Sequence, residues 1–332
     1  MTPRTRFLSA LKREPTDYPA VGNPTSIITT DLMRATNCFF PEAHTDAEVM
    51  AQLATAGYEI LGYDTIAPYF SVQQEAAAFG CPVDWEDKDH MPTVRGHLFE
   101  KPEDIRIPSD YLNRPPTRTV LDALRILKSR YGDEVALVGK VMGPWTLAYH
   151  LFGLEPFLIR IMDAPEEVME ILERLRQATI LFAKAQIEAG ADCLTLADHL
   201  TGDLCRPETY RDFLLPIHQQ IREQLDIPVI LHICGYTLDR LDYIAQTGFE
   251  AFHFDSKNDA YKAVEIADDR IALIGNVNNP ETLYRGKMEQ IEVEVARAID
   301  AGVAVIAPEC AVPLNMDSKG LKRIADVARR DA

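Results

Sequence analysis

The feature that most restricts the fold is a repeated alternation between short, near-continuous apolar runs and segments with helical periodicity. Apolar runs without polar alternation are typical of strands that are covered on both faces, as in parallel sheets. The alternation is regular from about residue 117 onward, and two further candidates precede it. The predicted strands are residues 18–23, 62–68, 135–141, 193–197, 229–231, 251–254, 271–274 and 303–307.

These segments make about eight strands, which is the number that a closed (β/α)₈ barrel needs. We therefore expect an α/β protein with one TIM barrel domain over residues 1–332 and an N-terminal extension. Residues 80–116 are rich in Pro, Asp and Gly, and they are expected to form an excursion such as a hairpin or lid. A doubly wound open sheet is the rival fold. No glycine fingerprint follows the first strand, which argues against a dinucleotide-binding version of that fold.

Composition restricts the function classes. The formal net charge is −17, and such an acidic surface repels the phosphates of nucleic acids. No apolar run approaches the ~20 residues that cross a bilayer, and the first residues lack the apolar segment of a secretory signal. We expect a cytoplasmic protein with no nucleic acid or membrane partner, which could form a homo-oligomer.

Two predicted strands end in residues that bind soft metals. The run before His232 and Cys234 stops at these residues, and the run over residues 303–307 is followed closely by Cys310. One imidazole and two thiolates form a three-ligand zinc site with an open fourth position, as in catalytic zinc sites. Taken singly, each residue could be an inert core residue. Their shared placement at strand ends favours a zinc site.

Other polar residues also follow predicted strands. Asp198, His199 and Asp255 are expected to line the same cavity and to orient a substrate or adjust its protonation. Asn23 and Asn276 are expected to contact a cofactor there. Each of these residues has an alternative structural interpretation, such as a helix cap or a turn.

A zinc ion with an open position can bind a substrate thiol and favour its thiolate form. Two cysteine ligands preserve the nucleophilicity of that thiolate, whereas water activation more often uses histidine and carboxylate ligands. Alkyl transfer to a thiol is therefore the first expectation from the residues alone. Cys193 lies within an apolar strand and is expected to be a core residue.

Several motifs resemble the uroporphyrinogen decarboxylase superfamily across nearly the whole chain. The branch that looks most similar contains the corrinoid-dependent methyltransferases, namely the methylcobamide:coenzyme M enzymes and the methyltransferase domain of chloromethane users. The resemblance to the superfamily rests on residues 6–15 (RFLSALKREP), 142–147 (MGPWTL) and 274–277 (IGNV). The resemblance to this branch rests on residues 41–46 (PEAHTD), 75–81 (EAAAFGC) and 232–235 (HICG), together with Cys310.

The resemblance implies that His232, Cys234 and Cys310 bind zinc, and that the barrel docks a corrinoid carrier protein over its carboxyl face. The methyl group is expected to pass from a methylcobamide to a thiol such as coenzyme M. A different thiol, tetrahydrofolate, or a methyl halide as donor to the corrinoid remain alternatives. Glu309 departs from the glycine that usually precedes the last cysteine, and it either alters the fourth zinc position or faces away.

Two other functions are less favoured. Uroporphyrinogen decarboxylase resembles this chain in fold but holds a substrate with eight carboxylates, using an arginine-rich early loop. The corresponding residues 23–32 contain no arginine or lysine. A zinc-free binding protein that reuses the barrel would be distinguished by metal analysis.

Overall fold

The computed structural model describes residues 1–330, so the last two residues of the predicted domain lie outside the described part. Eight parallel strands form a nearly closed barrel surrounded by helices, in the order β1-β10-β9-β8-β7-β6-β5-β2. A separate antiparallel pair, β3 and β4, forms a hairpin. The ten strands are β1 (Ala20–Val21), β2 (Thr65–Ile66), β3 (Val83–Asp84), β4 (Thr93–Val94), β5 (Ala136–Met142), β6 (Cys193–Ala197), β7 (Val229–Ile233), β8 (Ala251–Phe254), β9 (Ala272–Val277) and β10 (Val305–Pro308).

The TIM barrel prediction is confirmed, and every predicted barrel strand corresponds to an observed one. The hairpin lies within residues 80–116, where an excursion was expected. No helix in the described residues 1–330 has the length and apolar character needed to span a membrane.

The helices are α1 (Pro3–Leu11), α2 (Thr30–Thr36), α3 (Glu42–Thr45), α4 (Ala47–Ala54), α5 (Ala56–Glu59), α6 (Gln73–Phe79), α7 (Pro115–Tyr131), α8 (Pro144–Phe152), α9 (Leu154–Asp163), α10 (Pro165–Glu188), α11 (Pro207–Thr209), α12 (Leu215–Arg222), α13 (Leu241–Ile244), α14 (Ala260–Ala267), α15 (Met288–Ala301) and α16 (Ser318–Ala328). Short 3₁₀ turns cover Pro102–Asp104, Tyr111–Asn113 and Leu238–Arg240, and π-helical turns cover Tyr210–Leu214 and Asn279–Tyr284.

The seam between β1 and β2 is held by Asp64, which directly precedes β2. Its backbone N–H donates to the carbonyl of Val21 at 2.7 Å. Its carboxylate accepts the N–H of Val21 at 2.9 Å and the guanidinium of Arg6 at 2.8 Å. A buried side chain thus supplies one of the cross-strand bonds of the seam, and α1 supplies its counterion.

The lower part of the barrel interior is filled by small and branched apolar side chains. Phe7 and Leu11 of α1 close this interior at its amino end and are fully buried. Cys193 belongs to this layer and is fully buried, as expected for a core cysteine. The inward side chains of this layer include Ala136, Val138, Cys193, Ile230, Ala251, Ala272, Ile274, Val305 and Ala307.

Candidate metal centre

His232, Cys234 and Cys310 converge at the carboxyl end of the barrel. The imidazole Nε2 of His232 lies 3.1 Å from Cys234 Sγ and 3.4 Å from Cys310 Sγ. The two sulfurs are 2.8 Å apart, which is longer than a disulfide bond of about 2.05 Å, and both cysteines are free. The ligand-atom separations around a tetrahedral zinc are roughly 3.5–3.8 Å on ordinary bond lengths. The cluster would need to widen by no more than about 1 Å to fit zinc.

The strand neighbours of His232 orient its ring. Its Nδ1 lies 3.3 Å from the carbonyl oxygen of His253 in β8, which is the position of a hydrogen-bond acceptor. A proton on Nδ1 leaves the lone pair of Nε2 directed at the sulfurs, as metal-binding imidazoles require. His253 is fully buried and its Nε2 lies 2.8 Å from the carbonyl oxygen of Pro308 in β10. This chain of contacts joins the strands that carry His232 and Cys310.

The two cysteines form an unequal pair. The hydrogen bond from Cys234, together with the imidazole of His232, holds the pKa of the Cys310 thiol well below its usual range. The same contact with Cys310, together with burial, raises the pKa of Cys234. A soft cation would displace the thiol proton on binding, because it requires thiolates.

The turn after Cys234 depends on Gly235 and Asp255. Gly235 adopts a φ of +83°, which favours glycine, and a Cβ there would overlap Thr201 and Asp203. Its N–H donates to the Asp255 carboxylate at 2.8 Å, and the same carboxylate accepts the N–H of Lys257 at 2.9 Å. Asp255 therefore lies next to Cys234. Its observed contacts are to the backbone of this turn.

Two buried side chains hold the loop that carries Cys310. The amide of Asn23 donates to the carbonyl of Cys310 at 3.3 Å. The Glu309 carboxylate accepts the N–H of Ser256 at 3.0 Å and the N–H of Asn279 at 2.9 Å. Both oxygens of Glu309 are thus used by backbone donors, and the ligand cluster does not include them. These contacts favour the interpretation that Glu309 faces away from the cluster and ties three loops together.

Asp198 and His199 follow β6 but make different contacts. The Asp198 carboxylate accepts the N–H of Thr146 at 2.8 Å and lies 3.0 Å from Nε2 of His218 in α12. It is buried between the barrel and the helical layer. These contacts favour a positioning role, and a direct role in substrate binding remains a prediction. The half-buried ring of His199 interacts electrostatically with His232 and Cys310, and burial lowers its pKa. A contact of His199 with a substrate remains a prediction.

Asn276 lies within β9, near its carboxyl end. Its amide donates to the carbonyl of Asn258 at 2.9 Å. It lines a cavity of about 420 Å³ between the loops that follow β8 and β9, together with Ser256 and Arg297. A cofactor contact of Asn276 therefore remains a prediction, and its observed hydrogen bond joins β9 to the loop that follows β8.

The residue-level predictions omitted two buried ionisable residues, Lys140 and Glu75. Lys140 lies within β5 and its ammonium is 4.6 Å from the centre of the Tyr69 ring. Glu75 accepts the N–H of Met142 at 2.6 Å, and burial raises its pKa to about 8. A lysine inside an otherwise apolar predicted strand is a signal that could have identified the first of these residues.

Comparison with known proteins extends these observations. The methylcobamide:CoM methyltransferase MtaA of Methanosarcina barkeri is 33% identical, and the alignment covers 99% of this chain and 98% of that protein. The methylated-thiol–coenzyme M methyltransferase of Methanosarcina mazei is 32% identical over 97% of this chain and 88% of that protein. A uroporphyrinogen decarboxylase of Geobacter sp. is 28% identical over 89% of this chain and 88% of that protein.

Solved structures give a consistent result. A methyltransferase from Methanosarcina mazei superimposes with a TM-score of 0.95 at 32% identity, and covers 99% of this chain and 98% of that one. A B12-independent methionine synthase from Shewanella shares only the fold, with a TM-score of 0.62 at 11% identity. The family model described as uroporphyrinogen decarboxylase (URO-D) matches residues 2–330. The chain therefore belongs to the uroporphyrinogen decarboxylase family.

Proposed function

We propose that this protein is a zinc- and corrinoid-dependent methyltransferase that moves a methyl group from a methylcobamide to a thiol. The observation that carries the proposal is the convergence of His232, Cys234 and Cys310 at the barrel mouth. Relatives that are named for methylcobamide and coenzyme M support the reaction class. The expectation from sequence and the name of these relatives agree on a corrinoid donor.

The residues of the cluster fit a soft cation. Three ligand atoms within 4.8 Å of one another can close on one ion, and a fourth position stays open for substrate. Bound zinc would hold the sulfur of a thiol substrate in its deprotonated, nucleophilic form. The chain's own residues supply the rest: His253 orients the imidazole of His232, and Asn23 and Glu309 hold the loop of Cys310.

The donor is proposed to arrive on a separate corrinoid carrier protein. The cluster lies at the carboxyl ends of the strands, the end at which TIM barrel enzymes bind their substrates. Orientation of two large reactants at this mouth would supply much of the rate enhancement, because it converts an encounter of two molecules into a positioned reaction. Coenzyme M is the proposed acceptor.

The decisive experiment combines metal analysis with an optical assay of methylcobalamin demethylation. Wild-type protein should contain one zinc per chain and demethylate methylcobalamin with coenzyme M. Homocysteine and tetrahydrofolate are offered in turn as alternative acceptors. A reaction with tetrahydrofolate alone would refute the thiolate mechanism.

A pair of cysteine variants separates the site from general effects of cysteine loss. Cys234→Ala should lose most of its zinc and its activity, because one of three protein ligands is removed. Cys205→Ala removes a free, partly buried cysteine on the same side of the barrel. This variant should retain both its zinc and its activity. Full zinc occupancy in Cys234→Ala would remove this residue from the site.

A further inference from the structure

Lys140 points into the barrel. The inward direction follows from its neighbours, since Val138 belongs to the inner layer, whereas a Cβ at Gly139 would meet Gln186 of the outer helix α10. Side chains alternate along a strand, so Lys140 shares the inward face with Val138. It is the next inward residue toward the carboxyl end. A lysine is rarely placed there without a partner.

The ammonium of Lys140 has no such partner. Among residues 1–330, no carboxylate lies within salt-bridge distance of it, and its Nζ donates to no protein acceptor; its one polar contact is the face of the Tyr69 ring at 4.6 Å. Only 5% of the residue is exposed.

The barrel geometry places Lys140 at the level of the metal centre. Lys140 pairs with Thr195 in β6, and Thr195 pairs with Ile230 in β7, two residues before His232. In an eight-stranded barrel with a shear of eight, neighbouring strands are staggered by about one residue each, so this offset brings Lys140 and His232 into the same layer. Burial lowers the lysine pKa to about 8, and the charge of Cys310 opposes that effect.

Other cations near this end are already neutralised. Lys257 is exposed and pairs with Asp203 at 2.8 Å. Arg240 is buried and pairs with Asp239 at 2.9 Å. The carboxyl group of Glu75 forms no ion pair with Lys140; it accepts the N–H of Met142 at 2.6 Å and the hydroxyls of Tyr69 and Tyr111 at 3.3 Å. The net charge of −17 makes most of the protein repel anions. An unpaired, buried ammonium group therefore attracts an anion to one specific place.

We infer that Lys140 forms an anion subsite beside the metal centre, which binds the far end of a short thiol that carries a sulfonate or carboxylate. This inference rests on the proposed function for the position of the sulfur. The thiol binds at the metal, its short spacer crosses the barrel interior, and its anionic group pairs with Lys140. A neutral thiol with the same spacer lacks this contact.

Calorimetric binding of three thiols to zinc-loaded protein tests the inference without turnover. Coenzyme M and 3-mercaptopropionate carry the anion, and 2-mercaptoethanol is their neutral counterpart. In wild type, both anionic thiols should bind more tightly than the neutral one. Lys140→Met should weaken only the anionic thiols, by about 10- to 100-fold, the loss expected for one charge-assisted hydrogen bond. Lys140→Gln repeats the charge removal with a polar side chain and should give the same result.

Lys257→Met is the matched control, because it removes the exposed, paired lysine and should leave the preference unchanged. The inference is overturned if Lys140→Met and Lys140→Gln weaken all three thiols equally, or if the preference depends on Lys257. Demethylation assays on the same proteins separate the two proposals. A Lys140-dependent preference without methyl transfer refutes the function and supports the subsite, whereas transfer without any preference for anionic thiols refutes the subsite alone.

Discussion

Replacement of Lys140 by methionine should stabilise the fold at neutral pH. Burial lowers the pKa of Lys140 from 10.5 to about 8, and each unit corresponds to about 1.4 kcal/mol. The charged lysine therefore costs about 3 kcal/mol of unfolding free energy at pH 7. Because its pKa is lowered on folding, this cost is fully present below pH 8. It disappears as pH rises through the unfolded value of 10.5.

Chemical denaturation at pH 7 and pH 9.5 measures this dependence at equal zinc content. Lys140→Met should exceed wild type by about 3 kcal/mol at pH 7 and by only about 1 kcal/mol at pH 9.5. The exposed Lys262 provides a control, since Lys262→Met should change stability little at either pH. A destabilised Lys140→Met protein, or a difference that does not shrink with pH, would refute the claim that Lys140 is a buried, unpaired charge.

Three further predictions concern the residues that support the centre. Glu309→Gln should keep one zinc per chain and lose about 1–2 kcal/mol of unfolding free energy, because its carboxylate accepts two backbone N–H groups; metal loss would instead make it a ligand. Asp198→Asn should lower the unfolding free energy by about 2–3 kcal/mol, because it weakens the buried contact with His218. Zinc should stay bound, and denaturation and metal analysis measure the two effects. Gly143→Ala should lower the Tm, because a Cβ there would overlap the Asp198 carboxylate, and an unchanged Tm in a thermal scan would contradict the close packing of Gly143 against Asp198.

The barrel was predictable because its signal is repeated. Near-continuous apolar runs alternate with helical segments, and a mistake in one segment leaves the count near eight. The convergence of His232, Cys234 and Cys310 was also predictable, since the carboxyl ends of parallel barrel strands meet at one end. The predicted boundaries of individual secondary-structure elements were less accurate. The strands predicted over residues 18–23 and 62–68 are observed only over Ala20–Val21 and Thr65–Ile66.

The contacts of the surrounding polar residues could not be predicted. The end of β6 predicts where the backbone of Asp198 lies, but the side chain contacts His218, which lies in a helix 20 residues later in the sequence. Glu309 likewise bonds to backbone groups of two other loops. Only the packed loops determine whether such a carboxylate faces the metal or the scaffold.

The sequence by itself determined the fold class and the identity of the candidate ligand set, because both depend on local periodicity and on residue type at strand ends. The tertiary structure alone decided which face of each strand points inward. A run that is apolar at nearly every position has no alternation to reveal that direction. The sequence therefore shows that β5 contains Lys140, but it does not show whether this side chain points into or out of the barrel. Its inward direction, its lack of a counterion and its place in the layer of His232 follow only from the closed barrel and its register.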